Sequence, residues 1–236
     1  MRQPFTGCGT ALVTPFTAGG TIDEPALRRL VKRQLREGIH FLVPCGTTGE
    51  SPTLTARERR RIVEIVLEEA AGHVPVLAGA GGYDTQEVIG AAKEMHLAGV
   101  QGLLSVTPYY NRPTPEGLFR HYAAVADATP LPVIVYNVPG RTGCNVDAAT
   151  LGRLATIPTV LGVKEASGNM TQICEICHSM PPSFLVLSGD DALTIPAMAV
   201  GACGVISVAS NESPGLMAQM VEAAERGDLA AARDLH

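Results

Sequence analysis

The chain has 236 residues, of which 46% are apolar, and this length and composition are sufficient to fill a sizeable hydrophobic core. They argue against a disordered or fibrous protein. Acidic residues outnumber basic residues by 23 to 18, so the net charge is −5 and no overall positive field favours nucleic acid or an anionic membrane as a partner. Any attraction of an anionic substrate must come from local charges.

The N-terminus and the cysteines bear on the cellular compartment. The first ten residues lack the charged-then-apolar layout of a signal peptide, and no apolar run approaches the ~18 residues of a membrane span. We therefore expect a cytoplasmic protein whose six cysteines are free thiols. Cys174, Cys177 and His178 match the CxxCH signature of haem attachment, but they fall in a helical pattern, so we interpret the cysteines as an i, i+3 pair.

A basic cluster precedes the middle of the chain. It consists of Arg57, Arg59, Arg60 and Arg61, with Glu58, Glu64 and Glu68 at helical spacing beside it. Because opposite charges three and four residues apart meet on a helix surface, we expect an ion-paired, solvated helix face.

Short β-rich runs alternate with helical patterns from end to end, which is typical of parallel strands joined by crossover helices. The eight predicted strands span residues 10–14, 41–45, 75–80, 102–107, 132–137, 160–165, 184–189 and 204–208. Helix starts are indicated between them by capping boxes at Thr55 with Glu58 and at Asp84 with Glu87, by Thr114 before Pro115, and by the caps Asp23 and Asn169.

Eight such units predict an α/β protein with a (β/α)8 TIM barrel over residues 1–226. An open doubly wound sheet would usually carry a nucleotide fingerprint near its first strand, and the glycines at 79, 81 and 82 have the wrong spacing for one. Gly227 and Asp228 look like a helix stop and a new cap, so residues 227–236 are expected to begin an incomplete C-terminal helical region. The chain is expected to be cut short there.

Polar residues at the carboxyl ends of the strands are the candidates for chemistry, since barrel enzymes build their sites at that face. They are Thr47, Thr48, Tyr109, Tyr110, Tyr136, Asn137, Lys164, Glu165, Asp190 and Asp191.

Lys164 differs from the other two lysines, Lys32 and Lys93, which fall on predicted helices. It interrupts the apolar run VLGVKEA, so its amine is expected to face the barrel interior, where burial lowers the pKa of an ammonium and yields a nucleophile. The alternative is a salt bridge from Lys164 to Glu165 or to another barrel carboxylate. Tyr136, one strand away, is placed to transfer protons, although it could equally be a core tyrosine.

Four segments at strand ends resemble the dihydrodipicolinate synthase and N-acetylneuraminate lyase family of class I aldolase-type barrels, and the first of its branches more than the second. They are PCGTTGES at 44–51, TPYYNRP at 107–113, YNVPGRTG at 136–143 and GVKEASGN at 162–169. The resemblance runs from about residue 5 to the end, and the four motifs occur in the family's order.

The resemblance implies roles for individual side chains. Lys164 would form an imine with pyruvate, and Tyr136 would act as the general acid and base, completing a proton relay with Thr47 and Tyr110. Tyr110 would reach the neighbouring subunit's site across a tight dimer interface, so a homo-oligomer, either a dimer or a homotetramer built as a dimer of dimers, is implied. The pyruvate pocket would be completed by Thr48, Gly189 and Ile206.

Arg141 would bind the carboxylate of aspartate semialdehyde, for which its two-pronged donor is suited. Alternatively, it could pair with Asp147 or Asp190. The implied reaction condenses pyruvate with the semialdehyde to 4-hydroxy-tetrahydrodipicolinate in the biosynthesis of lysine and diaminopimelate. Neither a metal nor another cofactor is expected.

Two rival functions stay open: a related lyase acting on a sugar acid, and a catalytically inactive ligand-binding barrel. Lysine-sensitive family members carry two histidines and an asparagine at positions that correspond here to Ala56, Arg59 and Tyr83. The resemblance therefore implies weak or absent feedback inhibition by lysine.

Overall fold

The computed structural model describes residues 4–236, and their strands form one eight-stranded parallel barrel. The strands are β1 (Gly7–Ala11), β2 (Phe41–Val43), β3 (Leu77–Gly79), β4 (Gly102–Val106), β5 (Val133–Asn137), β6 (Val160–Glu165), β7 (Leu185–Ser188) and β8 (Gly204–Ser207). Their order is β2-β1-β8-β7-β6-β5-β4-β3. The predicted (β/α)8 fold is confirmed.

The barrel closes between β2 and β3. Leu42 and Val76 form a parallel bridge there, and the Leu42 amide donates to the Pro75 carbonyl over 3.0 Å. Further along the same two strands, the Gly79 amide donates to the Pro44 carbonyl over 2.9 Å. These bonds pair the two strands at the ends of the sheet order, so neither is left as an open edge.

Helices alternate with the strands along the chain; most of them cover the outside of the barrel, and one short helix lies at its mouth. They are α1 (Glu24–Arg36), α2 (Ala56–Ala70), α3 (Thr85–Ala98), α4 (Pro115–Asp127), α5 (Pro139–Thr142), α6 (Ala148–Leu154), α7 (Met170–Ser179), α8 (Thr194–Ala199), α9 (Pro214–Glu225) and α10 (Leu229–Leu235).

The predicted helix caps are confirmed with one correction. The side chains of Asp23, Thr114 and Asn169 accept backbone amides of the first helical turn, and Thr55 with Glu58 forms a reciprocal capping box. Asp84 caps α3 by accepting the amides of its first turn, but Glu87 does not return a bond, so a full capping box there was a wrong prediction.

Two separate layers of apolar side chains make up the core. The inner layer fills the barrel and includes Phe41, Leu104, Ile134, Leu187 and Ile206. The outer layer lies between the strands and the helices and is larger. Because successive side chains of a strand point to opposite faces, each strand contributes to both layers, and this explains the near-continuous apolar runs in the sequence.

The first strand is the main difference from the sequence prediction. It spans Gly7–Ala11 rather than residues 10–14. A Cβ atom at Gly9 would lie 2.1 Å from the Phe41 ring, so the inner layer uses the missing side chain of glycine to seat an aromatic ring. Because glycine adds nothing to an apolar pattern, the sequence favoured the apolar run that starts at residue 10.

The basic cluster of α2 is ion-paired only in part. Arg61 makes two bonds of 2.8 and 2.6 Å to Glu24 of α1, and Arg60 contacts Glu64 at 2.9 Å. Arg59 instead lines a cavity at the mouth of the barrel. Its place in an ion-paired face was therefore a wrong prediction.

Other features of the described residues bear on the earlier expectations. All six cysteines are free thiols, and Cys174 and Cys177 share α7 as predicted. Gly227 has a φ of +78°, and Asp228 caps α10, which packs on α9. The boundary between a barrel and a separate C-terminal region stays a prediction. Within residues 4–236, each helix is too short or too polar to cross a membrane.

Candidate active site

The alignment of β5 with β6 places a lysine beside a tyrosine at the carboxyl end of the barrel. Tyr136 and Lys164 are partners in the strand register, so both side chains leave the sheet on the same face. The Lys164 Nζ atom lies 4.1 Å from the centre of the Tyr136 ring. The lysine is 4% exposed and the tyrosine 6%. The sequence prediction that Lys164 faces inward agrees with this arrangement.

The environment of Lys164 favours a neutral amine. Burial lowers its pKa to about 8, Asp191 opposes this effect, and the Arg141 guanidinium adds to it. At pH 7.4 an amine with that pKa is neutral in about one molecule in five, compared with roughly one in a thousand for an ordinary lysine. A lysine in this state can attack a carbonyl carbon.

The salt bridge considered as an alternative for Lys164 is absent. Within the described residues, the one lysine that forms an ion pair is Lys32. Glu165 follows Lys164 in β6 and therefore points to the opposite face of the sheet, where it accepts hydrogen bonds from Asn137 and Gln172. The Lys164 amine has the Tyr136 ring as its neighbour and no carboxylate as a direct partner.

Tyr136 keeps its phenol proton at neutral pH. Burial raises its pKa above the ordinary value of tyrosine, and a hydrogen bond with the Thr47 side chain and the charge of Arg141 only moderate this rise. The side chain therefore has an O–H that it can donate, with a hydroxyl partner beside it. This geometry is what a proton-transfer group next to a nucleophilic amine requires.

Thr47, Tyr136 and Arg141 line a cavity of about 480 Å³ at the mouth of the barrel. The same cavity is bordered by Arg59 of α2 and Glu87 of α3, and by Tyr83 and Tyr109 in the loops that follow β3 and β4. The sequence analysis did not assign Arg59 or Tyr109 to this cavity. The position of Arg59 on a helix and of Tyr109 after a strand does not by itself show that both border the same cavity.

A short helix carries Arg141 to this mouth. Pro139 starts α5, and Gly143 ends it with a φ of +66°. This backbone angle favours glycine, and the Arg112 guanidinium packs against the space that a side chain at position 143 would occupy. Two arginines, Arg141 within the segment that follows β5 and Arg112 packed against it, therefore lie close to the end of this strand.

Arg141 is free to meet an anionic substrate. The two acids considered as its partners act as caps: Asp147 accepts the Thr150 amide of α6, and Asp190 accepts the Ala192 amide. The Arg141 side chain is exposed, and its charge lowers the pKa values of both Lys164 and Tyr136. A predicted pairing with either acid is thus not what the structure has.

Gly189 and Ile206 border the lysine and the inner core, respectively. A Cβ atom at Gly189 would lie 3.1 Å from Cε of Lys164 and 2.6 Å from Cβ of Ala166, so a side chain there would displace the amine. Ile206 is fully buried in the same inner layer as Tyr136. Thr48 is half-buried next to Thr47.

Tyr110 does not join this constellation within the chain. Its side chain is 91% exposed, and its φ of +68° is rare for a residue with a side chain. The structure therefore brings together Thr47, Tyr136 and Lys164 but leaves the fourth predicted member pointing outward.

Asp191 is a further acid near the amine. Its Oδ2 atom accepts the Val208 and Ala209 amides at 3.1 and 3.0 Å, while its buried Oδ1 atom has no hydrogen-bond partner. Its charge raises the pKa of Lys164. The sequence marked this residue only as a strand-end acid.

Comparisons with known proteins agree on one family. Residues 4–236 match the Dihydrodipicolinate synthetase family. A relative from Koribacter versatilis named 4-hydroxy-tetrahydrodipicolinate synthase is 51% identical over 98% of this chain and 77% of its own length. A relative of the same name from Chloroherpeton thalassium is 49% identical over 100% and 78%.

Solved structures give the same result. Dihydrodipicolinate synthase from Aquifex aeolicus superposes with a TM-score of 0.96 at 42% identity, covering 98% of this chain and 79% of the other. The enzyme from Thermotoga maritima gives a TM-score of 0.97 at 41% identity, with 99% and 80% coverage. The match to the family extends over residues 4–236, which include the whole barrel, and the chain belongs to the dihydrodipicolinate synthetase family.

Proposed function

We propose that this chain condenses pyruvate with aspartate semialdehyde through a Schiff base on Lys164 and so forms 4-hydroxy-tetrahydrodipicolinate. The observation that carries the proposal is the buried Lys164 amine, with its pKa lowered to about 8, against the ring of a protonated Tyr136. The name shared by the curated relatives supports the choice of product.

The first half of the reaction builds the imine. The neutral Lys164 amine attacks the keto carbon of pyruvate, and the Tyr136 phenol protonates the hydroxyl that leaves as water. Thr47 holds the phenol through its hydrogen bond and can return the proton. Thr48, Gly189 and Ile206 complete the space around the pyruvate, whose carboxylate would be held by the two threonines.

The second half forms the carbon–carbon bond. The cationic imine acts as an electron sink, so a methyl proton of the bound pyruvate is lost and an enamine forms. The enamine carbon attacks the aldehyde of the semialdehyde, whose carboxylate is held by Arg141. The amino group of that substrate then displaces the Lys164 amine from the imine, which closes the ring and frees the enzyme.

Borohydride reduction in the presence of pyruvate tests this assignment. Reduction traps an imine as a stable secondary amine, so we expect pyruvate-dependent labelling of the peptide that contains Lys164, detected by mass mapping. Labelling of another lysine would refute the assignment to Lys164, and no labelling at all would favour a catalytically inactive ligand-binding barrel.

The Arg141→Ala variant separates the two active-enzyme hypotheses. We expect it to trap pyruvate as efficiently as the unmodified chain, because the imine does not need the guanidinium. Condensation with aspartate semialdehyde should fall by roughly 100-fold, since a charge-assisted bidentate bond is lost. Steady-state kinetics with both substrates measures this. A sugar-acid lyase would instead show little semialdehyde activity before the substitution.

Lysine is expected to inhibit weakly or not at all. Arg59, which corresponds to a histidine of lysine-sensitive family members, lines the cavity on the side of α2, where its positive charge opposes the ammonium groups of lysine. Activity titrated with lysine is the measurement. Inhibition at sub-millimolar lysine would contradict the prediction, and an Arg59→His variant serves as the comparison.

A homo-oligomer completes the proposal. The Tyr110 side chain is exposed and its backbone has a left-handed conformation, and by reaching into the site of a second copy it would supply the missing member of the relay. We place the enzyme in the cytoplasm, where its free thiols are stable.

A further inference from the structure

A cluster of hydrogen-bonded polar side chains, buried except for Asn145, lies directly behind the lysine and the tyrosine, on the outer face of the barrel strands. It consists of Asn137, Asn145, Glu165 and Gln172, which we call the amide–carboxylate cluster. Glu165 is 1% exposed and Asn137 is fully buried. Burying a carboxylate is costly unless hydrogen bonds compensate, so this cluster is an expensive feature at a site where an apolar contact would serve packing as well.

The strand register couples the cluster to the reacting side chains. Asn137 and Glu165 are register partners, one position beyond the partners Tyr136 and Lys164. Adjacent residues of a strand point to opposite faces of the sheet. Tyr136 and Lys164 therefore point into the barrel, and Asn137 and Glu165, the next residues of the same two strands, point outward. A shift of Asn137 or Glu165 along the strand axis must therefore move the lysine relative to the tyrosine.

The hydrogen bonds of Asn137 have a fixed direction. Its Oδ1 atom accepts the Val146 amide at 3.0 Å, which turns its Nδ2 atom toward Oε2 of Glu165 at 2.8 Å and Oδ1 of Asn145 at 2.9 Å. The asparagine cannot turn over without placing an N–H against the Val146 N–H. It therefore offers only a donor to Glu165.

Every partner of Glu165 is likewise a donor. Oε2 also accepts Nε2 of Gln172 at 3.3 Å, and Oε1 accepts the Ser167 amide at 2.8 Å. Asn145 and Gln172 bond to each other in both directions, at 2.8 and 3.2 Å, and their bonds to Asn137 and Glu165 set the way in which the pair is turned. The position consequently requires a side chain with acceptors only, and among side chains of this length a carboxylate meets that requirement.

We propose that Glu165 is a positioning residue, one that sets the distance between the Lys164 amine and the Tyr136 phenol through the donor-to-acceptor match with Asn137. The inference rests on the proposed function. It assigns to a carboxylate that faces away from the substrate an effect on the rate of the chemical steps, with little effect on the binding of pyruvate.

The Glu165→Gln variant tests the match. In either orientation of the new amide, an NH2 group faces a donor: Asn137 and Gln172 on one side or the Ser167 amide on the other. Because small displacements of reacting groups cost large factors in rate, we expect kcat to fall by roughly 30- to 100-fold while KM for pyruvate changes little. Glu175→Gln makes the same charge change at an exposed position of α7 and serves as the control, with kcat unchanged.

The double variant Asn137→Asp, Glu165→Gln reverses the polarity of the bond and restores it. Aspartate at 137 accepts the Val146 amide and the new glutamine N–H, and the amides of Asn145 and Gln172 turn over together to keep their mutual bonds. The cluster again carries one negative charge. We expect kcat to recover to within about five-fold of the unmodified chain, whereas Asn137→Asp alone sets two carboxylates against each other and stays impaired.

The outcomes separate the inference from its premise. If the unmodified chain traps no pyruvate with borohydride, the proposed function fails. If it does, and a folded Glu165→Gln variant keeps kcat within about three-fold, or the folded double variant is no better than the single variants, the positioning role of Glu165 is refuted. Should the single variants not fold, Gln172→Ala decides: a fall in kcat of about five-fold at constant KM supports the role, and an unchanged kcat refutes it.

Discussion

Replacement of Lys164 by methionine is expected to abolish pyruvate imine formation and, at the same time, to stabilise the fold. Without the amine no covalent intermediate forms, so kcat should fall by at least about 10⁴-fold. Methionine has a similar length and no charge, and it can occupy the space over the Tyr136 ring. Borohydride trapping and steady-state kinetics measure the first effect.

The gain in stability follows from the pKa of Lys164. The pKa is about 8 in the folded chain, against the ordinary lysine value of 10.5, so below pH 8 the burial of the amine costs about 3 kcal/mol of folding free energy. Since the unfolded chain binds the extra proton between pH 8 and 10.5, the cost disappears as the pH rises through this range. The advantage of methionine should accordingly be largest below pH 8 and fade above it.

Urea denaturation at several pH values, at constant protein concentration, measures this effect. Lys93→Met is the matched control, because Lys93 is exposed on α3 and its substitution should leave the free energy of unfolding nearly unchanged at every pH. A Lys164→Met chain that is less stable than the unmodified chain at pH 7 would show that a partner in the folded state compensates the burial of the ammonium.

The alternation of strands and helices could be predicted from the sequence because the elements of a barrel are locally encoded. The run VLGVKEA is apolar on both sides of one lysine, and β6 occupies the predicted residues 160–165. The first strand was predicted wrongly by the same reasoning. Gly9 faces the inner layer, and its lack of a side chain leaves room for the Phe41 ring. Hydrophobic periodicity cannot register that contribution, because it depends on the ring of Phe41 in a neighbouring strand.

The candidate site was predictable only as far as it depends on strand ends. Lys164 and Tyr136 could be paired from the sequence because each lies near the carboxyl end of one of two neighbouring predicted strands. The orientation of Asn137 could not, because it depends on the Val146 amide nine residues away in the chain. Arg59 could not be placed in the cavity either, since its helix offers arginines on several faces and only the packing of α2 selects which one borders the barrel mouth.

Substitution of Tyr136 by phenylalanine is expected to lower kcat by roughly 10²- to 10³-fold, the range of a lost general acid. The ring that lies 4.1 Å from the Lys164 amine is retained, so packing and the environment of the amine are preserved. Only the hydroxyl, and with it the bond to Thr47, is removed. Pyruvate should still be trapped by borohydride, but more slowly, because water must now protonate the leaving hydroxyl.

The Thr47→Val variant tests whether Thr47 acts through the Tyr136 phenol. If Thr47 relays the proton of Tyr136, its loss should lower kcat by about ten-fold, and the double variant with Tyr136→Phe should be no slower than Tyr136→Phe alone, since the relay is already broken. If the two effects multiply instead, the threonine acts on pyruvate directly rather than through the phenol. If Tyr136→Phe keeps kcat within about three-fold, another group protonates the leaving hydroxyl. The tyrosine ring would then only shield the Lys164 amine from water.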